Sequence, residues 1–230
     1  NDIACSVTLD NSGNVFITGV FSNNAVFGGT TLSGNGTVCN QNMFLIKYTN
    51  SGAETLVTQY LGVGTGWDNF YCGGAPDCEY YGTDVHAFNN MIAGKAIEVS
   101  SSGDIYISGY FSGQVNLNGI LTGGYSASAG QHTCQNIGCP DRTINYTYYH
   151  HNVINAFTAA LDGSGNVIWA RSSTNGSIES RNNAIAYSEA GYLFVTGQSD
   201  NQFIIEALNP SSGSLLWSKS LPVSSAGKNA

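Results

Sequence analysis

Charge is what this chain has least of. Asp, Glu, Lys and Arg make up 10% of its 230 residues, where soluble domains usually carry about 25%. Only seven are Lys or Arg, and they are scattered. No basic face for counterion release can be assembled, which excludes nucleic-acid binding. The acids are spread as thinly, so an acidic polyelectrolyte role goes too. No run of 18 apolar residues occurs, so no segment reads as a membrane-spanning helix. Neither a G-x-S-x-G elbow nor an H-E-x-x-H pair is present, and no catalytic residue or metal ligand set is assigned. The expectation is a protein that is not an enzyme. With so little charge, solubility rests on Asn, Ser, Thr, Gly and Tyr, a surface common on secreted and cell-surface proteins. The sequence opens on Asn1 with no signal-like apolar segment and reads as a mature or trimmed chain.

What the chain has instead is repetition. Ser6 to Gly19 reads SVTLDNSGNVFITG, Ala96 to Gly109 reads AIEVSSSGDIYISG, and Ala184 to Gly197 reads AIAYSEAGYLFVTG. Each alternates β-forming residues at period two on both sides of a glycine turn, at Gly13, Gly103 and Gly191, which predicts a β-hairpin. A second hairpin follows each one: Met43 to Gln59, Ala156 to Ser172 and Phe203 to Lys219, turning at Gly52, Gly165 and Gly213. Trp169 and Trp217 take matching places in the last strand, where the first unit is read as having Val57. They are expected in the packing between modules. Two hairpins per repeat predict an all-β chain of antiparallel four-stranded modules, β-propeller-like. About three blades are present, at residues 3–60, 94–172 and 182–220. Propellers close with about four to eight blades, so the ring is expected to be incomplete.

Between the hairpins, FSNNAVFGGTTLSG from Phe21 and FSGQVNLNGILTGG from Phe111 share a register, Phe27 with Leu117 and Gly29 with Gly119. The third repeat shortens this connection to Gln198–Gln202. Two longer insertions, about 61–93 and 123–155, are rich in Gly, Tyr, Asn and Cys. Insertions from a repeat array collect on one face, which makes them candidate contact surfaces. Tyr71, Tyr80, Tyr81, Tyr146, Tyr148 and Tyr149 are the contact residues expected there, as exposed Tyr among Asn and Gly suits subunit packing or carbohydrate stacking. Tyr rings that merely cover blade edges are the plainer alternative.

Six cysteines allow 15 connectivities. The simplest pairs Cys72 with Cys78, Cys134 with Cys139 and Cys5 with Cys39, and disulfides imply an oxidising compartment. Asn35, Asn145 and Asn175 head N-x-Ser/Thr sequons in predicted loops, as surface glycosylation would require. His132, His150 and His151 lie near Cys134 and Cys139, but the spacing suits a disulfide with surface histidines better than zinc. Asp84 and His86 are as weak a pair. Asp10 and Asp162 open Asp/Asn turns that bond their own backbone more readily than calcium. No cofactor is expected; for bound calcium, Asp68, Asp77 and Glu79 are the nearest insertion carboxylates.

The stretches DNSGNVFITG, FGGTTL and MFLIKY in the first repeat, with DGSGNVIWA in the second, resemble the bacterial secreted SBBP-type β-propeller repeats. The resemblance covers roughly two-thirds of the chain and implies an extracellular propeller used in adhesion, surface architecture or display. EALNPSSGSLLW in the third repeat is similar to the repeat of pyrroloquinoline-quinone propeller dehydrogenases, without that family's base and calcium ligands. AGKNA at Ala226 to Ala230 echoes AGKA at Ala93 to Ala96, so 221–230 reads as a tail beginning a further repeat. The partners expected are copies of this chain joined head to tail, or the remainder of a longer chain. A structural or adhesive role, with self-assembly into a filament or surface array, is the leading expectation. The alternative is a carbohydrate-binding module acting on glycans through the Tyr-rich insertions.

Overall fold

The structure is a computed structural model that describes residues 2–34, 41–62, 70–72, 80–82, 85–88, 91–117, 119–122, 126–134, 142–151, 153–173, 179–200 and 202–222. The first repeat forms β1 (Ile3–Leu9), β2 (Val15–Ser22), β3 (Asn24–Phe27), β4 (Thr30–Ser33), β5 (Gln41–Tyr48) and β6 (Glu54–Tyr60). The first insertion holds β7 (Phe70–Cys72), β8 (Tyr80–Gly82) and β9 (Val85–Phe88). The second repeat begins with β10 (Met91–Val99), β11 (Ile105–Ser112), β12 (Gln114–Asn116) and β13 (Ile120–Thr122). Its insertion, β14 (Ser126–Cys134) and β15 (Arg142–His151), precedes β16 (Asn155–Leu161) and β17 (Val167–Ser173). The third repeat is β18 (Ser180–Ser188), β19 (Tyr192–Ser199), β20 (Gln202–Leu208) and β21 (Leu215–Pro222). For β7, β8, β9, β14 and β15 the description is of the backbone. Among the described residues there is no helix, and so none long and apolar enough to cross a membrane.

Each repeat folds into one antiparallel sheet of four strands, in the orders β1-β2-β5-β6, β10-β11-β16-β17 and β18-β19-β20-β21. The all-β, four-stranded modules are as the repeats predict. The six hairpin glycines take left-handed φ angles, from +69° at Gly213 to +91° at Gly103, where a Cβ would strain the backbone. The connections from Phe21 and Phe111 are small hairpins in their own right, β3 with β4 and β12 with β13. The third repeat lacks that hairpin: Ser199 at the end of β19 pairs directly with Gln202 at the start of β20.

The repetition extends to irregularities. A β-bulge interrupts the first strand of every sheet, at Ala4/Ser6, Gly94/Ala96 and Asn182/Ala184. Each bulge faces the Gly of a Thr-Gly or Ser-Gly pair. A Cβ at Gly19, Gly109 or Gly197 would overlap the carbonyl oxygen of Ile3, Ala93 or Arg181 respectively. These three glycines therefore answer to close approach and not to a turn. A second bulge recurs where the last two strands pair, at Lys47/Tyr48, Ala160/Leu161 and Ala207/Leu208. With it, Leu56 pairs with Lys47, Trp169 with Ala160 and Trp217 with Ala207. The first unit's counterpart of the two tryptophans is thus Leu56. The expectation of Val57 was one residue out, and in a strand that puts a side chain on the opposite face.

Consecutive sheets pack face to face. Strand β10 lies across β1, β2 and β5, and β18 repeats this across β10, β11 and β16. Every sheet therefore has a leading face toward its predecessor and a trailing face toward its successor. Phe16, Met43, Leu45 and Leu56 on the first trailing face meet Ile97, Ile105, Ile107, Phe157 and Leu161 on the second leading face. Tyr106, Ala160 and Trp169 on the second trailing face meet Ile185, Tyr187, Leu193, Val195 and Leu208 on the third leading face. Each large apolar side chain buried there contributes about 1.5–3 kcal/mol. Polar groups fix the fit: Asn182 Nδ2 donates across to Phe157 O at 3.0 Å and to Thr158 Oγ1 at 3.2 Å. Arg171 and Glu206 form an ion pair between the second and third sheets at 3.5 Å.

Candidate interaction surface

The outer faces of the first and third sheets carry the residues that the inner faces bury. On β10, Ile97 and Val99 are 3% and 9% exposed against the first sheet. Their counterparts on β1, Val7 and Leu9, pair with Ile17 and Val15 in the same register and are 62% and 59% exposed. The β3–β4 hairpin covers part of this first leading face, seating Ala25, Phe27 and Leu32 over Phe44 and Ile46. Its equivalent in the second repeat, β12–β13, places Val115 and Leu117 inside the interface between sheets.

The third trailing face mirrors this. Phe194 and Trp217 occupy the places of Tyr106 and Trp169. Phe194 stacks on Tyr192, centroids 6.0 Å apart, and lies 6.1 Å from the Trp217 ring. Trp217 is 43% exposed, and Phe203 and Leu221 stand open on the same face. An apolar face of this kind, continuous across strands and open to water, marks an interaction site.

The sheets also lock at one recurring point. The turn of a sheet's second hairpin rests on the last strand of the sheet before it. Tyr60 donates its hydroxyl to Gly165 O at 2.6 Å, and a Cβ at Gly165 would reach Thr58 and Leu56. At the next interface Trp169 Nε1–H donates to Pro210 O at 2.8 Å, and the indole stands where a Gly213 Cβ would go. The corresponding glycine of the first sheet, Gly52, has open space around it. Nothing in the composition signals this contact; only the spacing of four residues from each turn glycine to Leu56, Trp169 and Trp217 hints at it.

The predicted contact tyrosines fall in paired strands. Tyr71 pairs with Tyr81 and Cys72 with Tyr80 in the β7–β8 ribbon. Tyr146, Tyr148 and Tyr149 pair with Gly130, Ser128 and Ala127 in the β14–β15 hairpin. β9 of the first insertion then pairs in parallel with β15 of the second, setting Val85 against Tyr148 and His86 against Tyr149. Segments from both insertions therefore share one three-stranded sheet, which no local pattern announces. His132 lies opposite Ile144, and His150 opposite Ser126 and Ala87.

Cys5 is a free cysteine, the extra residue of the β1 bulge, with its Sγ 3.7 Å from Lys95 Nζ. Cys72 and Cys134 end or lie in strands. Cys39, Cys78 and Cys139 lie outside the described residues, as do Asn35, Asn175, Asp68, Asp77, Glu79 and Asp84. Asn145 sits within β15 opposite Gln131, in a strand and not in the loop expected for it. Among the described residues no group of three His, Cys, Asp or Glu side chains is placed to hold a metal.

The two Asp/Asn turns close on themselves. Asp10 Oδ1 accepts from the Ser12 and Asn14 amides, each at 2.9 Å, and Oδ2 accepts from Asn14 Nδ2 at 2.7 Å. Asp162 makes the same set with Ser164 and Asn166. The Asn166 side chain foremost, with the backbone amides, holds the Asp162 carboxyl below its usual range. At Asp10 burial pushes upward, but the bonds from Asn14 and Ser12 and the Lys47 charge outweigh it. Their carboxylates are already committed to turn amides. No family model matches the chain, and the search of curated proteins found no match.

Proposed function

We propose that this chain is an extracellular structural or adhesive repeat protein that self-assembles head to tail, through its sheet faces, into a filament or surface array. Its three sheets act as propeller-like blades in an open series, in keeping with the resemblance to secreted β-propeller repeats. Glycans at Asn35, Asn145 and Asn175 and disulfides within the insertions suit the same extracellular setting. One observation carries the reading. Positions that are buried between sheets, such as Ile97 and Val99, recur as exposed apolar residues on the outer leading face, at Val7 and Leu9. Two unlike sticky faces on one molecule make a heterologous contact, which propagates when the rotation does not close. Electron microscopy of the purified chain tests this: ordered polymers are expected, and monodisperse single particles at high concentration would refute it.

A second reading, carbohydrate binding through the insertions, is favoured by the β9–β15 pairing, which sets strands bearing Tyr148, Tyr149 and His86 side by side. Binding of the monomeric chain on a glycan array, lost on replacing Tyr148 and Tyr149 together, would support it.

A further inference from the structure

We infer that Trp217 of one copy seats on the Thr49–Gly52 turn of a second copy and donates its indole N–H to a carbonyl of that turn. The inference rests on the self-assembly reading and names its contact. The same turn-on-strand seat is built twice inside the molecule. The Asp162–Gly165 turn sits on Leu56, Thr58 and Tyr60 and accepts the Tyr60 hydroxyl at 2.6 Å. The Asn209–Gly213 turn sits on Trp169 and accepts its Nε1–H at 2.8 Å through Pro210 O. The third seat is present in halves, one on the third sheet and one on the first. Trp217, in the register position of Trp169, is 43% exposed, and the Thr49–Gly52 turn is closed by its own backbone bond with open space at Gly52. Docking the third trailing face on the first leading face of a second copy brings the halves together. It also covers Val7 and Leu9 as Ile97 and Val99 are covered.

The contact would differ from its internal template in one respect. At the places of Arg171 and Glu206 stand Lys219 and Ile46, so that ion pair is not repeated between copies. Association carried by apolar area and one hydrogen bond should hold or strengthen as salt rises, where a charge-driven contact would weaken.

Sedimentation velocity on the full chain decides the matter. Trp217→Asp removes the donor half and Leu9→Asp blocks the accepting face, at sites that are exposed in the single copy. Each variant alone is expected to lose polymerisation by at least about 100-fold in concentration, a burial-sized effect. Mixed together, they should give a one-to-one dimer, since each keeps one intact face, and that dimer also shows both are folded. Trp217→Phe, which keeps the ring and deletes only the N–H, should weaken association by roughly 3- to 10-fold. Polymers of the Trp217→Asp variant as robust as the parent's would overturn this contact while leaving self-assembly standing. A parent chain that stays monomeric at every concentration, as it would if a further sheet in cis covered Trp217, overturns both.

Discussion

The indole of Trp169 fills the space that a side chain at Gly213 would need. A Cβ built on that glycine stands 2.5 Å from Cε3 and 2.8 Å from Cδ2, while the indole N–H reaches Pro210 O in the same turn. Two sheets are thereby keyed together by the absence of one atom. Gly213→Ala should destabilise the fold by about 2–4 kcal/mol, combining overlap with the ring and a φ of +69°. Gly103→Ala carries the φ strain alone, at +91° with open space around it, and should cost about 1–2 kcal/mol. Urea midpoints of the two variants in the reverse order would contradict the keyed contact.

The glycines opposite the bulges make a sharper test, because their neighbour is backbone and cannot swing aside. Gly109→Ala drives a Cβ into Ala93 O, and a loss of more than about 3 kcal/mol is expected. One residue away, Ser108 is fully buried with its hydroxyl unpartnered. Ser108→Ala should be neutral or stabilise by up to about 1 kcal/mol. Adjacent substitutions of opposite sign in thermal unfolding are the signature to look for.

Alkaline pH should loosen the stack at both internal interfaces. Burial, with the charges of Asp104 and Glu189 and the nearby Tyr187, pushes the Tyr106 phenol up to about 12. Burial and Asp162 raise Tyr60 further. The unfolded phenol ionises near 10, so between about pH 10 and 12 the folded chain keeps protons that the unfolded chain has released. Stability is therefore whole below pH 10 and falls as pH rises through that window. Tyr106→Phe should flatten the fall in urea midpoint. Tyr60→Phe should flatten it too, but at neutral pH it loses the bond to Gly165 O, at about 1–2 kcal/mol.

Arg171 and Glu206 form an ion pair between the second and third sheets, with side chains 23% and 5% exposed. Arg171→Met should cost about 1–3 kcal/mol, since it takes the guanidinium away from the buried Glu206 carboxylate. Adding Glu206→Leu should restore most of the loss. A double variant no better than the single one would show that the pair does not hold the seam.

How much of this was legible follows from the range of the interactions involved. The hairpins are written locally, in alternation and turn glycines, and so the four-stranded sheets came through. The bulges were not, because Cys5, Lys95 and Asn183 stand in for one extra residue without any shared chemistry. That also hid why Gly19, Gly109 and Gly197 must be glycine. Leu56 could have been found by counting from Gly52, yet only the strand register shows which face it takes. The pairing of β9 with β15 and the exposure of Val7 and Leu9 depend on partners distant in sequence, which no window reveals. Tyrosine and cysteine composition pointed to the insertions, while the exposed apolar side chains among the described residues, such as Val7, Leu9 and Trp217, lie in the repeats.

The pairing of β9 with β15 sets an order of events. A ribosome emits Val85–Phe88 long before the strand that will hold it, with the whole of β10 to β14 still to be made. Until Tyr148–His151 arrives, β9 lacks its mate, and parallel closure over so long a span is slow. This leaves an interval during synthesis in which an unpaired strand can be captured by a neighbouring nascent chain.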